Sequence, residues 1–234
     1  MRTQWSFIVL ATVSLLMFTR QNANAGELLD RMIATVNGHV LLLSDWEDEL
    51  RFECFTSNRS LAEISPSEKK AALDRLIEQE LLREQARTTE TKSVSGEQVR
   101  KQVDALKRNY LRENPGKTWD AALSKYGLTQ KSIESHVTTE LEQLQLIDTR
   151  FRPSIQISQA EIEQYYKNEL VPKLPASDPV TLPDATPKIR ELLVQNRMNE
   201  MLNSWLEMLR SQAQIRIVGP VSDSSLSSSH AGAQ

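Results

Sequence analysis

The chain has 234 residues, 39% of them hydrophobic and 6% aromatic, with 28 basic against 31 acidic side chains and a net charge of −3. That balance excludes a general nucleic-acid binder, because neutralising phosphates needs a basic surface. The lone cysteine, Cys54, excludes a scaffold stapled by intramolecular disulfides, and abundant Glu, Leu, Gln, Lys and Arg beside only seven glycines describe a helical protein.

The first residues read as a signal peptide. Arg2 supplies the positive start, Phe7 to Phe18 is almost wholly apolar, and Ala23-Asn24-Ala25 offers small residues at the −3 and −1 positions of a cleavage site. The apolar run is about a dozen residues, short of the roughly 20 that a membrane-spanning helix needs. Cleavage after Ala25 would remove Arg2 and Arg20 and no acid, moving the net charge to −5. The expectation is export by a cleavable signal, with no integral membrane span after cleavage; the alternative is an uncleaved N-terminal anchor.

The mature chain is expected to open on a β-hairpin. Met32 to Val36 and Val40 to Leu43 flank Asn37-Gly38, the strongest two-residue hairpin signal. An isolated hairpin is marginal in water, so a third strand is required. Gln214 to Val218 alternates apolar and polar residues like a strand, which predicts that the two ends of the mature chain meet.

Between those ends the pattern is helical. Four runs fit the capping box, in which a serine and an acid or amide three residues on satisfy orphan amides reciprocally. They are Ser44 to Glu47, Ser65 to Glu68, Ser95 to Gln98 and Ser158 to Glu161, and Pro66 sits where a helix tolerates proline. Apolar rhythms follow: Leu73, Leu76, Ile77 and Leu81, then Val99, Val103, Leu106 and Tyr110. A short helix from Trp119 ends at Gly127, and another from Thr129 carries Ile133, Val137, Leu141, Leu144 and Ile147 before Pro153. Five of the nine prolines fall between Pro172 and Pro187, which reads as an extended linker without helix or strand. The last and longest helix is expected from about Thr186 to Gln212, with Val194, Met198, Met201, Trp205 and Met208 in one stripe. From Gly219 the chain is serine-rich and reads as a disordered tail.

Catalytic patterns are scarce. His39, His136 and His230 form no metal-ligand spacing, and no nucleophile motif or glycine-rich phosphate loop is present. The carboxylates follow the polar faces of the helices and read as solvated surface. His39, next to the turn, reads as a solvated turn residue, and Cys54 as a small, half-buried apolar side chain. No cofactor is called for. A methionine stripe is more often core than binding surface, yet methionine also suits adaptable peptide-binding faces. The candidate peptide-binding residues are therefore Met198, Met201, Trp205 and Met208, with Tyr165 and Tyr166.

Taken in order, "LLDRMIATVNGHVLLLSDW", "ALDRLIEQELLREQA", "YGLTQKSIESHVTTELEQLQLI", "ISQAEIEQYY" and "KIRELLVQNRMNEMLNSWLEMLRSQAQIRI" resemble the N-terminal module and closing helix of the SurA-type periplasmic chaperones. Members of that family often carry parvulin-type prolyl isomerase domains between the segments corresponding to Tyr166 and the last helix. Such a domain needs on the order of 90 residues, and Lys167 to Lys188 is 22 residues and rich in proline. The resemblance implies a mainly α fold, a multi-helix SurA N-terminal-like module with a small antiparallel sheet joining the hairpin to the C-terminal strand. It implies an ATP-independent chaperone without an isomerase domain, not an enzyme, whose clients are unfolded polypeptides such as outer-membrane β-barrel precursors. A shallow groove or the edge of the small sheet would receive them. The alternatives are a dedicated envelope interaction subunit for one partner, or an isomerase with an unrecognised site. The expected organisation is a signal peptide at 1–25, a helical module at 26–171, a proline-rich linker at 172–187, a closing helix and strand at 188–218, and a tail at 219–234.

Overall fold

The structure is a computed structural model and describes residues 30–89, 93–173 and 180–218. The expected signal peptide, the tail and the centre of the linker lie outside these residues. The two ends of the described chain meet in one sheet. Strands β1 (Met32–Val36) and β2 (His39–Leu42) form the hairpin, and β3 (Ile215–Ile217) adds to β1 on its other side, antiparallel, giving the order β2-β1-β3. Asn37 and Gly38 both have positive φ, 50° and 88°, as the favoured two-residue hairpin turn requires. A bulge between Met32 and Ala34 shifts the register, so that the consecutive residues Ile33 and Ala34 are both buried.

The turn also grips its surroundings. The Asn37 amide donates to the Gln214 carbonyl at 3.0 Å, the Gln214 amide donates to Asn37 Oδ1 at 2.8 Å, and Asn37 Nδ2 donates to Glu84 Oε2 at 2.7 Å. One side chain therefore ties the hairpin to β3 and to the second helix.

Seven α-helices lie among the other described residues: α1 (Leu43–Thr56), α2 (Pro66–Thr88), α3 (Gly96–Glu113), α4 (Trp119–Tyr126), α5 (Gln130–Phe151), α6 (Gln159–Tyr165) and α7 (Leu182–Gln212). Their starts follow local chemistry. Ser65, Ser95 and Ser158 are N-caps with reciprocal bonds from Glu68, Gln98 and Glu161. Gly127 ends α4 in the left-handed region, φ 65°.

Two boundaries differ from the sequence expectation. Helix α1 starts at Leu43, directly out of β2, and not after Ser44: the Asp45 carboxylate accepts from the Leu42 amide at 2.9 Å, so the acid, not the serine, satisfies the entry. The expected linker 172–187 is helical at both of its described ends. A wide turn at Tyr166–Leu170 and a 3₁₀ turn at Val171–Lys173 extend the chain after α6, and α7 begins at Leu182 behind the Thr181 N-cap. Pro183 costs nothing in the first turn, where an amide has no helical partner. Pro187 lies inside α7 and forfeits one hydrogen bond there. Proline near a helix start is thus weaker punctuation than proline in mid-helix.

Three apolar clusters form the interior. The largest joins Ile33, Ala34, Val36 and Leu41 of the hairpin to Trp46 and Leu50 of α1, five residues of α2 from Leu73 to Leu82, the end of α5, and Met198, Trp205 and Leu209 of α7. Trp46 donates its indole N–H to the Lys69 carbonyl at 2.9 Å. A second cluster gathers Phe55 with Tyr110, Trp119 and Tyr126 around the start of α5. A third packs Ile162 against Ala185 and Ile189. Helix α7 lies over the first core and is held by Arg210, which pairs with Asp74 and, at 3.5 Å, with Glu78 of α2. The carboxyl of Glu78 is pushed above its ordinary range by burial. No described helix is long and apolar enough to cross a membrane.

Candidate functional site

A half-open cleft of about 950 Å³ lies between β2, α1, α2, α3 and α5. Its apolar stretches come from Val40, Leu41, Phe52, Leu76, Leu106 and Val137. Its charged lining is four carboxylates, Asp45, Asp48, Glu49 and Glu140, against two guanidiniums, Arg51 and Arg83. The elements that supply these groups pack into the first and second cores, and the mouth between them is wide.

Two polar constellations shape the cleft. On α5, His136 stacks flat on Phe52 of α1, with ring centroids 4.2 Å apart, and its Nε2 lies 2.8 Å from Asp48 Oδ2. Its Nδ1 lies 3.7 Å from Glu49 Oε2, and Glu49 also receives Gln79 Nε2 at 3.3 Å and faces Arg75 Nε at 3.5 Å. This network joins α1, α2 and α5 across the cleft floor. On α2, Glu80 is wholly buried, 0% exposed. Its Oε2 pairs with Arg83 and lies 3.5 Å from His39 Nδ1 of β2, and its Oε1 has no hydrogen-bond partner. Burying a carboxylate is costly unless charge partners and donors compensate, and here one oxygen is left over. Gln143 of α5 also lines the cleft, and its Nε2 is a buried donor without an acceptor.

The residues singled out from the sequence do not gather here. Met198 and Trp205 are buried in the main core, where Trp205 meets Phe151 edge-on at 5.5 Å under the Arg150 guanidinium at 4.2 Å. Met201 packs against the same core, and Met208 alone of the stripe is on the surface, 43% exposed. Tyr165 and Tyr166 pack in the third cluster, with Tyr166 Oη donating to the Val180 carbonyl at 2.7 Å. Most of the stripe is core because α7 packs on the core shared with the hairpin, α2 and α5, while Met208 faces outward. His39 is exposed beside the turn, and its Nδ1 also lies 3.5 Å from Glu80 Oε2.

Glu80 and Glu49 were missed because acids on a helix default to solvent. A signal was present: Glu80 continues the stripe of Leu73, Leu76 and Ile77 and stands beside Leu81, so helical geometry places it on the buried face. Cys54 is more buried than expected, and burial pushes its thiol up, with Glu53 adding to the effect. Among the described residues, no group of three or more His, Cys, Asp or Glu side chains is placed to hold a metal ion.

The family model for the SurA-like N-terminal domain matches residues 2–147. The chain belongs to the SurA-like N-terminal domain family. No parvulin domain is matched in the chain, and among curated proteins none matches it. SurA-like domains are chaperone-like modules and typically periplasmic. Every residue that lines the cleft falls between His39 and Gln143, inside the matched segment, whereas α7 and β3 lie beyond it.

Proposed function

We propose that the protein is an ATP-independent periplasmic chaperone that holds unfolded or assembling polypeptides in this cleft, outer-membrane β-barrel precursors among them. The observation that carries the reading is that the SurA-like segment builds the whole cleft. Its lining suits an unfolded chain. Apolar patches receive apolar side chains, polar groups alternate with them, and the wide mouth admits an extended segment without a deep, shape-specific pocket. Helix α7 and strand β3 close the module from the far end and leave the cleft open. Holding by many weak contacts keeps a client unfolded by mass action and needs no nucleotide.

The test is suppression of aggregation. Purified chain at near-stoichiometric ratio is expected to slow light scattering from a urea-diluted β-barrel protein. A Val40→Glu substitution, at a cleft-lining position that is 41% exposed, is expected to weaken that effect while leaving the unfolding midpoint nearly unchanged. Undiminished aggregation at every ratio, salt concentration and temperature would refute the reading.

A further inference from the structure

We infer that the cleft selects extended polypeptide segments in which Lys or Arg side chains stand among apolar ones. The inference rests on the peptide-holding reading above and names the class of segment held. Four carboxylates against two guanidiniums give the lining a negative bias. Glu49 is engaged by Arg75 and Gln79 and Asp48 by His136, so Asp45 and Glu140 carry the outward part of it, and both guanidiniums are themselves paired. Arg51 is paired with Glu47 at 2.8 Å, and Arg83 is paired with Glu80. Glu140 stands exposed on α5 at the cleft wall, and Asp45 is exposed at the start of α1. A cleft with one sign of charge on low-dielectric walls focuses its field on an incoming opposite charge.

The second observation is independent of that bias. Glu80 is a wholly buried carboxylate whose Oε2 is directed at His39 and Arg83, both of them cleft-lining residues, while its Oε1 lacks any donor. Arg83 is 44% exposed on its side chain. A client cation that takes its place pairs with a carboxylate already stripped of water. Gln143 of α5 lines a small hollow together with Arg83, and its Nε2 lacks an acceptor. An extended backbone carries carbonyls at every residue and satisfies such a donor, which a small free cation does not. A desolvated carboxylate behind Arg83 and a donor without an acceptor at Gln143 thus fit one occupant, a polypeptide bearing basic side chains.

Fluorescence anisotropy with labelled, unstructured peptides tests this on the full chain. Three peptides share one apolar pattern and differ only at alternate positions, which are Lys/Arg, Ser/Gln or Asp/Glu. The expected order of affinity is basic, then neutral, then acidic, with the spread shrinking as salt rises. Glu140→Lys and Asp48→Asn are each expected to cut the preference for the basic peptide by about two- to fivefold. Glu207→Lys changes the net charge as much as Glu140→Lys does but lies on exposed α7, away from the cleft, and is expected to leave the preference within about twofold. If all three peptides bind alike, the charge selection is overturned and peptide holding stands. If Glu207→Lys lowers the preference as much as Glu140→Lys, net charge is responsible and the cleft assignment is overturned. If no peptide binds, both readings fall together.

Discussion

Truncating Trp205 to alanine tests whether the C-terminal helix is part of one cooperative module. The indole is 5% exposed and sits in the core shared by the hairpin, α2, α5 and α7. A buried aromatic side chain of this size removes about 150–250 Å² from water. At about 25 cal/mol per Å² that is roughly 4–6 kcal/mol, reduced by about 10–40% because denatured chains already bury part of their surface. The stack under Arg150 at 4.2 Å adds about 0.5–1 kcal/mol. The expected cost of Trp205→Ala is therefore about 3–5 kcal/mol, within the usual range for such truncations. For a chain of this length that lowers Tm by on the order of 10 °C. The assay is urea unfolding followed by far-UV circular dichroism and by fluorescence from the remaining tryptophans, with Met208→Ala as the surface control, expected within about 0.5 kcal/mol of the parent. A loss below about 1 kcal/mol for Trp205→Ala, or two separated transitions, would refute the idea that α7 closes the N-terminal body.

Three further outcomes are expected. The Glu68 carboxyl is held at about 2, well below 4.5, first by Arg59 and then by the Ser65 cap. Its folded-state value is depressed, so the stabilisation is fully present above pH 4.5 and is lost as pH falls from 4.5 toward 2. The Tm difference between the parent and Glu68→Ala should be flat above pH 5 and vanish near pH 2, and a difference independent of pH would contradict the pairing. Gly127→Ala should cost about 1 kcal/mol in chemical denaturation, because φ is 65° while the new methyl would meet only the Arg51 side chain at ordinary contact distance; a neutral result would mean the turn relaxes. The Cys54 thiol is buried and its pKa raised, so alkylation at pH 8 should be at least tenfold slower in the folded protein than in urea, and equal rates would show that the end of α1 opens readily.

What could be read from the sequence divides by the range of the interaction concerned. The capping serines, the Asn-Gly turn and Gly127 were legible because each works on backbone groups within about four residues. Where local signals failed, two compatible ones competed: Asp45 and Ser44 could each start α1, and the prolines before α7 could mark either a linker or a helix start. The pairing of β3 with the hairpin was legible for a different reason, since an unpartnered hairpin needs a strand and Gln214 to Val218 offered one.

The cleft was not legible, nor was the fate of the methionine stripe. A helix pattern shows which residues share a face but not what covers that face. The sequence by itself determined the helical class, most element boundaries and the meeting of the two ends, because those follow from local backbone chemistry and one unpaired hairpin. The tertiary structure decided that Met198 and Trp205 are core, that Glu80 is buried with an oxygen to spare, and that His136 of α5 faces Asp48 of α1. These last two residues are 88 positions apart, and Gln214 and Asn37 are 177 apart. Only the packing of helices and sheet brings such groups within hydrogen-bond reach, and the same packing leaves the cleft between them.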